Sequence, residues 1–269
     1  MSISPSPAES YEAFMVRFRF RPWAIELLNR IELAPGTRVL DVATGTGIVA
    51  RLAAQRLRGT GSVDAIDMNP AMIEVGRRAA AEENAPIRWH VGKVESLPFL
   101  DRSFDLVTIQ QALQFFPDQP AALRECYRVL APGRTLAVGI WSALEKQGIQ
   151  QDYAEAVERV TGSASMHTPY GTVTEESLRD LFIGAGFVGV SIEEAAIELD
   201  YGDPDTFVNL MVEGTSVGVP AMQGRSDQER AALTAAVADD MRSAIAATTR
   251  DGRLRTHSTV FIALGSRPN

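Results

Sequence analysis

Short apolar runs alternate with longer amphipathic stretches between residues 38 and 141. A Pro-Gly turn leads into "RVLDV" (38–42), a short strand. "GIVARLAAQRLRG" has helical spacing and a stop at Gly59. "GSVDAIDM" is a second strand ending at Asp67. Asn69 then caps a helix that carries Pro70 in its first turn and runs to about Glu83. "IRWHVGK" and "FDLVTIQ" are strands three and four. Asp118 and Pro120 open a helix through Leu130, and "PGRTLAVGIW" is a turn and a fifth strand. This alternation predicts an α/β domain with a mostly parallel sheet and helices on both faces.

The flanks are less regular. Residues 1–8 are Ser/Pro-rich and expected to fray. Residues 9–31 read as one or two helices interrupted at Pro22. Residues 142–173 are polar and loop- or helix-like. "TEESLRDLFIGAGF" is a helix capped by Thr174 and stopped at Gly184 or Gly186. "VGVSIEEAAIEL" and "HSTVFIALGS" are the last two strands. The intervening residues 201–250 are largely helical, with a capping box at Ser226-x-x-Glu229. An insertion there should fold over one end of the sheet.

Composition narrows the function classes. With 269 residues, 45 % of them hydrophobic and 22 % charged, the chain suits one large globular domain or a domain plus a lid. A net charge of −8 and the lack of any Lys/Arg-rich run argue against nucleic acid as the partner. Arg17, Arg19 and Arg21 form the densest local cluster of cations, and are expected at the surface. The single cysteine, Cys126, allows no internal disulfide and reads as an inert thiol on a helix. No signal-peptide pattern opens the chain, and no apolar run approaches the roughly 18–20 residues of a membrane span. A cytoplasmic protein, monomer or homodimer, is expected.

The chemistry concentrates at Gly45-x-Gly47-x-x-Ala50, directly after the first strand, with Asp67 about twenty residues on. Taken alone this is a dinucleotide fingerprint. Asp41, just before the glycines, points elsewhere, because a carboxylate there would oppose a pyrophosphate. It suits a ligand with a cationic portion, such as the sulfonium and ammonium groups of S-adenosylmethionine. Asp67 is placed to accept from ribose hydroxyls. Met68 and Met72 could pack on an adenine face, with core packing as the plainer reading.

"VLDVATGTG", "VDAIDMNPAMIEVGR", "VESLPFLDRSFDLVTIQQALQFFPD" and "ALRECYRVLAPGRTLAV" together resemble the class I S-adenosylmethionine-dependent methyltransferases. The subgroup is the small-molecule type, similar to the ubiquinone/menaquinone-biosynthesis enzymes. The resemblance implies a Rossmann-like seven-stranded sheet of order 3-2-1-4-5-7-6, with strand 7 antiparallel and a helical lid. Residues 1–34 would be the N-terminal part of the lid, 35–200 and 251–269 the cofactor-binding core, and 201–250 the lid insertion. By the same match, Asp41, Ala43, Gly45 and Gly47 line the methionine and ribose portion. Asp67 and Met68 hold ribose and adenine, Val94 and Glu95 edge the adenine, and Gln110 lies beside the methionine end. Two positions depart from the family. Lys93 replaces a common Asp, so the adenine amino group needs another acceptor, such as a backbone carbonyl or Glu95. Pro132-Gly133-Arg134 replaces "PGG" in a surface turn.

Methyl transfer from a sulfonium is a displacement in which alignment does most of the work, so neither a catalytic triad nor a metal is expected. A base is needed only if the nucleophile must lose a proton. His167 is the candidate, against a plain loop histidine, with Tyr170 beside it as a possible acid, base or donor. His90 reads as structural, and His257 carries little expectation. Tyr11, Phe14 and Phe18, with Phe20 and Trp23, are either core packing or an apolar wall for the acceptor. Gln111, Gln114, Phe115 and Phe116 follow the fourth strand, where the acceptor belongs. Arg17 or Arg19 could pair an acceptor carboxylate, with solvation as the plainer reading. Asp239 and Asp240 read as solvated. The expected activity is methylation of a small apolar or aromatic molecule. The alternatives are a non-methylating reaction on the same cofactor, such as cyclisation, a non-catalytic binding module and, last, a dinucleotide oxidoreductase.

Overall fold

Every strand expected between residues 38 and 141 forms in the protein's structure, a computed structural model that describes residues 6–215 and 225–269. They are β1 (Arg38–Val42), β2 (Ser62–Asp67), β3 (Arg88–Val91), β4 (Phe104–Gln110) and β5 (Leu130–Trp141). β6 (Val188–Gly202), the two-residue β7 (Thr249–Arg250) and β8 (Arg253–Ser266) follow. β1 pairs in parallel with both β2 and β4, β2 with β3, and β4 with β5. The sheet order is β3-β2-β1-β4-β5-β8-β6, with β7 attached to β8. With β7 set aside, this is the expected 3-2-1-4-5-7-6 order. Backbone bonds join Gly133 and Arg134 to Arg267, and Ser142 to Thr259, so β8 runs against β5.

The helices are α1 (Pro7–Ser10), a π-helix (Tyr11–Phe20), α2 (Arg21–Asn29), α3 (Ile48–Leu57), α4 (Pro70–Glu82) and α5 (Gln119–Val129). α6 (Ile149–Thr161), α7 (Glu175–Gly184), α8 (Phe207–Thr215), α9 (Asp227–Asp240) and α10 (Arg242–Thr248) complete the set. The caps act as their residue types dictate. Asn69, Asp118, Thr174 and Ser226 each accept a first-turn amide through the side chain.

Three boundaries differ from expectation for local reasons. α3 stops on Arg58, itself left-handed at φ 49°, one residue before Gly59. Pro22 does not interrupt the N-terminal helix. It lies in the first turn of α2, where a missing N–H costs little, just after the winding changes from π to α. Residues 142–173 contain the well-formed α6, ended by Gly162 at φ 72°.

The chain forms two compact units, and their boundaries depart from those expected. One comprises residues 21–140, 173–195 and 260–269. It holds most of the sheet and a core that includes Leu40, Val42, Ile66, Val107, Ile109, Leu136, Val138 and Phe182. Residues 21–34, expected with the N-terminal lid segment, pack here. The other comprises residues 1–20, 141–172 and 196–259. In it the π-helix packs on α8, and α6 packs on α9, around buried Tyr153, Leu199, Tyr201 and Phe207. Residues 141–172, expected in the core, thus pack with the helical unit. Residues 1–5 of the fraying expectation, and 216–224 of the expected insertion, lie outside the described residues.

Candidate cofactor site

β1 has β2 on one side and β4 on the other, so connections leave its C-terminal end in opposite directions, the point where open α/β sheets bind ligands. Two non-glycine residues are left-handed there: Ala43 after β1 (φ 51°) and Gln111 after β4 (φ 47°). Such strain persists where the surroundings impose it and clusters at functional sites.

The glycine loop satisfies its own amides. Gly45 N–H donates to Asp67 Oδ2 at 2.8 Å, Gly47 N–H to the Thr44 carbonyl at 2.8 Å, and Ala50 N–H to Asp41 Oδ2 at 3.3 Å. A pyrophosphate needs such donors free at the helix N-terminus. With three committed, the loop offers a close backbone approach rather than an anion cradle.

Asp41 is 2 % exposed, and its side chain lies between Thr44, Thr108 and Ala50. Thr108 is its register partner on β4. Burial pushes the carboxyl up to about 6, against the lowering effect of the hydrogen bonds from Thr44, Thr108 and Ala50. The sequence placed Asp41 beside the methionine portion of a ligand. In the structure its carboxylate also ties the loop to β4 and to Ala50 on α3, as strand alternation allows.

Asp67 ends β2 and faces the loop. Its oxygens accept from Gly45 N–H and Asn69 N–H, each at 2.8 Å, and burial raises its pKa. A carboxylate has about four acceptor positions, so capacity remains for hydroxyl donors. Met68, directly after it, is 68 % exposed, and Met72 is half-buried. Gly92 N–H bonds the Asp67 carbonyl at 3.0 Å, which brings the turn at Val94–Ser96 next to the end of β2. In that turn Val94 is buried, Glu95 half-buried and Lys93 exposed.

After β4, Gln110 is half-buried and Gln111 buried. Gln114 donates its amide to the Gln111 carbonyl at 3.1 Å. The Oε1 atoms of Gln111 and Gln114 are buried acceptors without a hydrogen-bond partner, and each such group needs an explanation. A ligand ammonium would supply the missing donors. Phe115 beside them is 56 % exposed. Orphaned acceptors, a carboxylate with spare capacity and an exposed methionine fit an adenosyl ligand with a cationic tail. Residues 41–47, 67–72, 94–95 and 110–115 all belong to the sheet unit.

The aromatic wall and the candidate base belong to the helical unit. Phe14 and Phe18 stack at 5.1 Å between centroids and both approach Tyr201, while Tyr11 stacks on Phe20 at 5.3 Å. His167 Nε2 lies 3.1 Å from Glu158 Oε2, without hydrogen-bond alignment. The Tyr170 hydroxyl accepts from Arg19. Arg19, expected in solvent, is only 4 % exposed. Phe14, one i→i+5 turn before it, is buried on the same helix. His90 bonds Asp64 at 2.8 Å, and His257 is exposed. Asp239 and Asp240 are exposed and pair with Arg242 and Arg159. Cys126 is buried, and burial pushes its thiol up to about 12.

One contributor escaped the motif reading. The Trp89 indole sits against Gly47 and Gly76, its Cη2 2.3 Å and 2.7 Å from where their β-carbons would stand. Gly47 is therefore a glycine because of Trp89 as well as its φ of 82°. The large aromatic residue in "IRWHV" was the available signal.

A family profile described as "Methyltransferase domain" matches residues 39–133. The ubiquinone/menaquinone biosynthesis C-methyltransferase UbiE of Neisseria meningitidis serogroup A is 33 % identical over 187 residues, 63 % of this chain and 74 % of that one. The crystal structure of the Bacillus YcgJ protein aligns at a TM-score of 0.59 and 19 % identity, covering 91 % of this chain and 98 % of that one. Phosphoethanolamine N-methyltransferase 2 of Haemonchus contortus, solved with S-adenosyl-L-methionine, aligns at a TM-score of 0.60 and 18 % identity, covering 97 % and 57 %. The two structures speak to the fold.

Proposed function

The chain belongs to the class I S-adenosylmethionine-dependent methyltransferases, and from that premise we propose that it methylates a small, apolar or aromatic organic acceptor. The observation that carries the cofactor reading is the pair of orphaned acceptors, Gln111 and Gln114 Oε1, together with a glycine loop in which the amides of Gly45, Gly47 and Ala50 are already committed. When bound, S-adenosylmethionine supplies a methyl group on a sulfonium that is already a good leaving group. Asp67 would take the ribose hydroxyls, Met68 and Met72 the adenine face, and Val94 and Glu95 its edge. Ala43, Gly45 and Gly47 would let the backbone approach, with Asp41 holding the loop. Gln110 would lie at the methionine end. Lys93 is exposed, so the adenine amino group would use Glu95 or a backbone carbonyl instead.

An apolar acceptor is supported by the exposed Phe115 and by the quinone pathways in the relatives' names. Tyr11, Phe14 and Phe18 in the helical unit, and separately Phe115 in the sheet unit, remain acceptor candidates, whereas Gln111 and Gln114, expected there too, are assigned to the cofactor ammonium. Alignment alone can contribute up to roughly 7–11 kcal/mol, so the residues' main task is to position. A base is needed only if the nucleophile carries a proton, and His167 and Tyr170 stay candidates for that case alone. Nucleic acid is not a proposed partner at a net charge of −8. Among the described residues no helix is long and apolar enough to cross a membrane. We place the protein in the cytoplasm, as a monomer or homodimer. The relatives' named activity does not favour the non-methylating alternative.

Calorimetry with S-adenosylhomocysteine, followed by labelled-methyl transfer onto pooled small metabolites, tests the reading. Saturable binding and a product heavier by one methyl are expected. A protein that binds neither S-adenosylmethionine nor S-adenosylhomocysteine would overturn it.

A further inference from the structure

Arg19 is a cation buried without a counter-ion. It projects from the π-helix into the helical unit and is 4 % exposed. One Nη donates to Gln150 Oε1 at 3.1 Å, and the other to the Tyr170 hydroxyl. The guanidinium carbon lies 4.2 Å from the centroid of the Trp141 ring. Gln150 is held in turn, its amide donating to the Tyr201 hydroxyl at 3.0 Å. All of these partners are neutral. Among the described residues no carboxylate pairs with Arg19, and Nε is buried with no acceptor.

A guanidinium does not deprotonate in proteins, so this site cannot escape its charge by titration. A buried unpaired charge is strongly unfavourable, and proteins retain one where something supplies the opposite charge. The cage fixes the orientation of the fork. Trp141 holds its plane, while Gln150 and Tyr170 each take one donor. Nε and the remaining Nη hydrogens are left in one plane, a match for a carboxylate, which accepts two parallel N–H bonds. The walls around it, Trp141, Tyr170 and Tyr201, suit an apolar or aromatic body attached to that carboxylate.

We propose that Arg19 binds the carboxylate of the small acceptor, so that the substrate class is an apolar or aromatic carboxylic acid. The proposal rests on the methyltransferase reading, because that is what makes an organic acceptor the occupant. Gln150 and Trp141 are positioning residues for the guanidinium.

The test uses benzoate, phenylacetate and hexanoate as probes, each against its neutral amide, titrated calorimetrically into the full chain saturated with S-adenosylhomocysteine. At least one carboxylate is expected to bind ten or more times tighter than its amide. Arg19→Met should bring that pair to within twofold. Arg19→Lys, which keeps charge but loses the fork, should retain an intermediate preference, and stands in if the methionine variant does not fold. Cofactor binding without any carboxylate preference in the wild type overturns the anion site and leaves the methyltransferase reading standing. A wild type that does not bind S-adenosylhomocysteine overturns the reading beneath it. Tyrosinate absorbance at neutral pH that disappears in Tyr170→Phe also overturns the proposal, because Tyr170 would then be the counter-ion.

Discussion

The Cη2 of Trp89 stands 2.3 Å from the position a β-carbon on Gly47 would take. The glycine is the left-handed N-cap of α3, and the tryptophan is on β3, so the contact ties the cofactor loop to the far edge of the parallel strands. Gly47→Ala meets both costs at once, left-handed strain of about 1–2 kcal/mol and overpacking of about 1–3 kcal/mol. A drop of several degrees in thermal midpoint is expected. Trp89→Leu made in the Gly47→Ala background should recover the overpacking share but not the strain. Strictly additive midpoints in that double-mutant cycle would show that the indole is not the obstacle.

Asp67 and Lys93 lie at the same end of the sheet with opposite expected weight. Asp67 is half-buried and has spare acceptor positions, whereas Lys93 is exposed. Asp67→Ala should weaken S-adenosylhomocysteine binding more than tenfold, and Lys93→Ala should change it less than threefold. Calorimetric titration of both variants measures this. An Asp67→Ala variant with wild-type affinity would remove that residue from the ribose site.

The sheet unit was legible because its signals are local. Short continuous apolar runs, Asn69 with Pro70, and Asp118 with Pro120 each specify an element within a few residues. Asp41 could be placed on β1 but not aimed. Its direction follows from Thr108 and Ala50, which are 67 and 9 residues away. Arg19 was read as solvated because arginine seldom enters a core. Its burial depends on Gln150 and Tyr170, 131 and 151 residues on. Trp89 shows the same limit: the partner that makes Gly47 obligatory comes from another strand. Local pattern fixes elements, and long-range pairs decide which side chains the site can use.

His167 stands 3.1 Å from Glu158, and both side chains are partly exposed, at 35 % and 48 %. Surface pairs of this kind contribute about 0–1 kcal/mol. His167→Ala should therefore unfold within about two degrees of the wild type. Steady-state turnover separates the two roles left open for this residue. A surface pair predicts a change under threefold, and that is the expected result. A general base predicts a loss of about 10²–10⁴-fold, which would place His167 at the reacting atoms.

The carboxyl of Asp41 titrates near 6, against an ordinary value of 3.8, because burial outweighs the hydrogen bonds from Thr44, Thr108 and Ala50. The folded state thus holds this proton more tightly than the unfolded chain does. Between about pH 4 and 6 the native protein binds more protons, so stability falls as pH rises through that window and levels off above it. The effect amounts to roughly 3 kcal/mol at its full extent. This sign is opposite to that of Asp200, which Arg253 holds down at about 2, and whose contribution is lost as pH falls from about 4. Asp41→Asn removes the ionisation while keeping a polar group of the same shape. The difference in unfolding free energy between Asn variant and wild type should therefore move in favour of the variant as pH rises from 4 to 7. Denaturant titrations at several pH values measure that difference directly, with other carboxylates cancelling between the two proteins. A difference that stays flat, or moves towards the wild type, would mean that the fold does not hold the Asp41 proton more tightly than the unfolded chain does, and that the carboxyl is already ionised in the fold near pH 4.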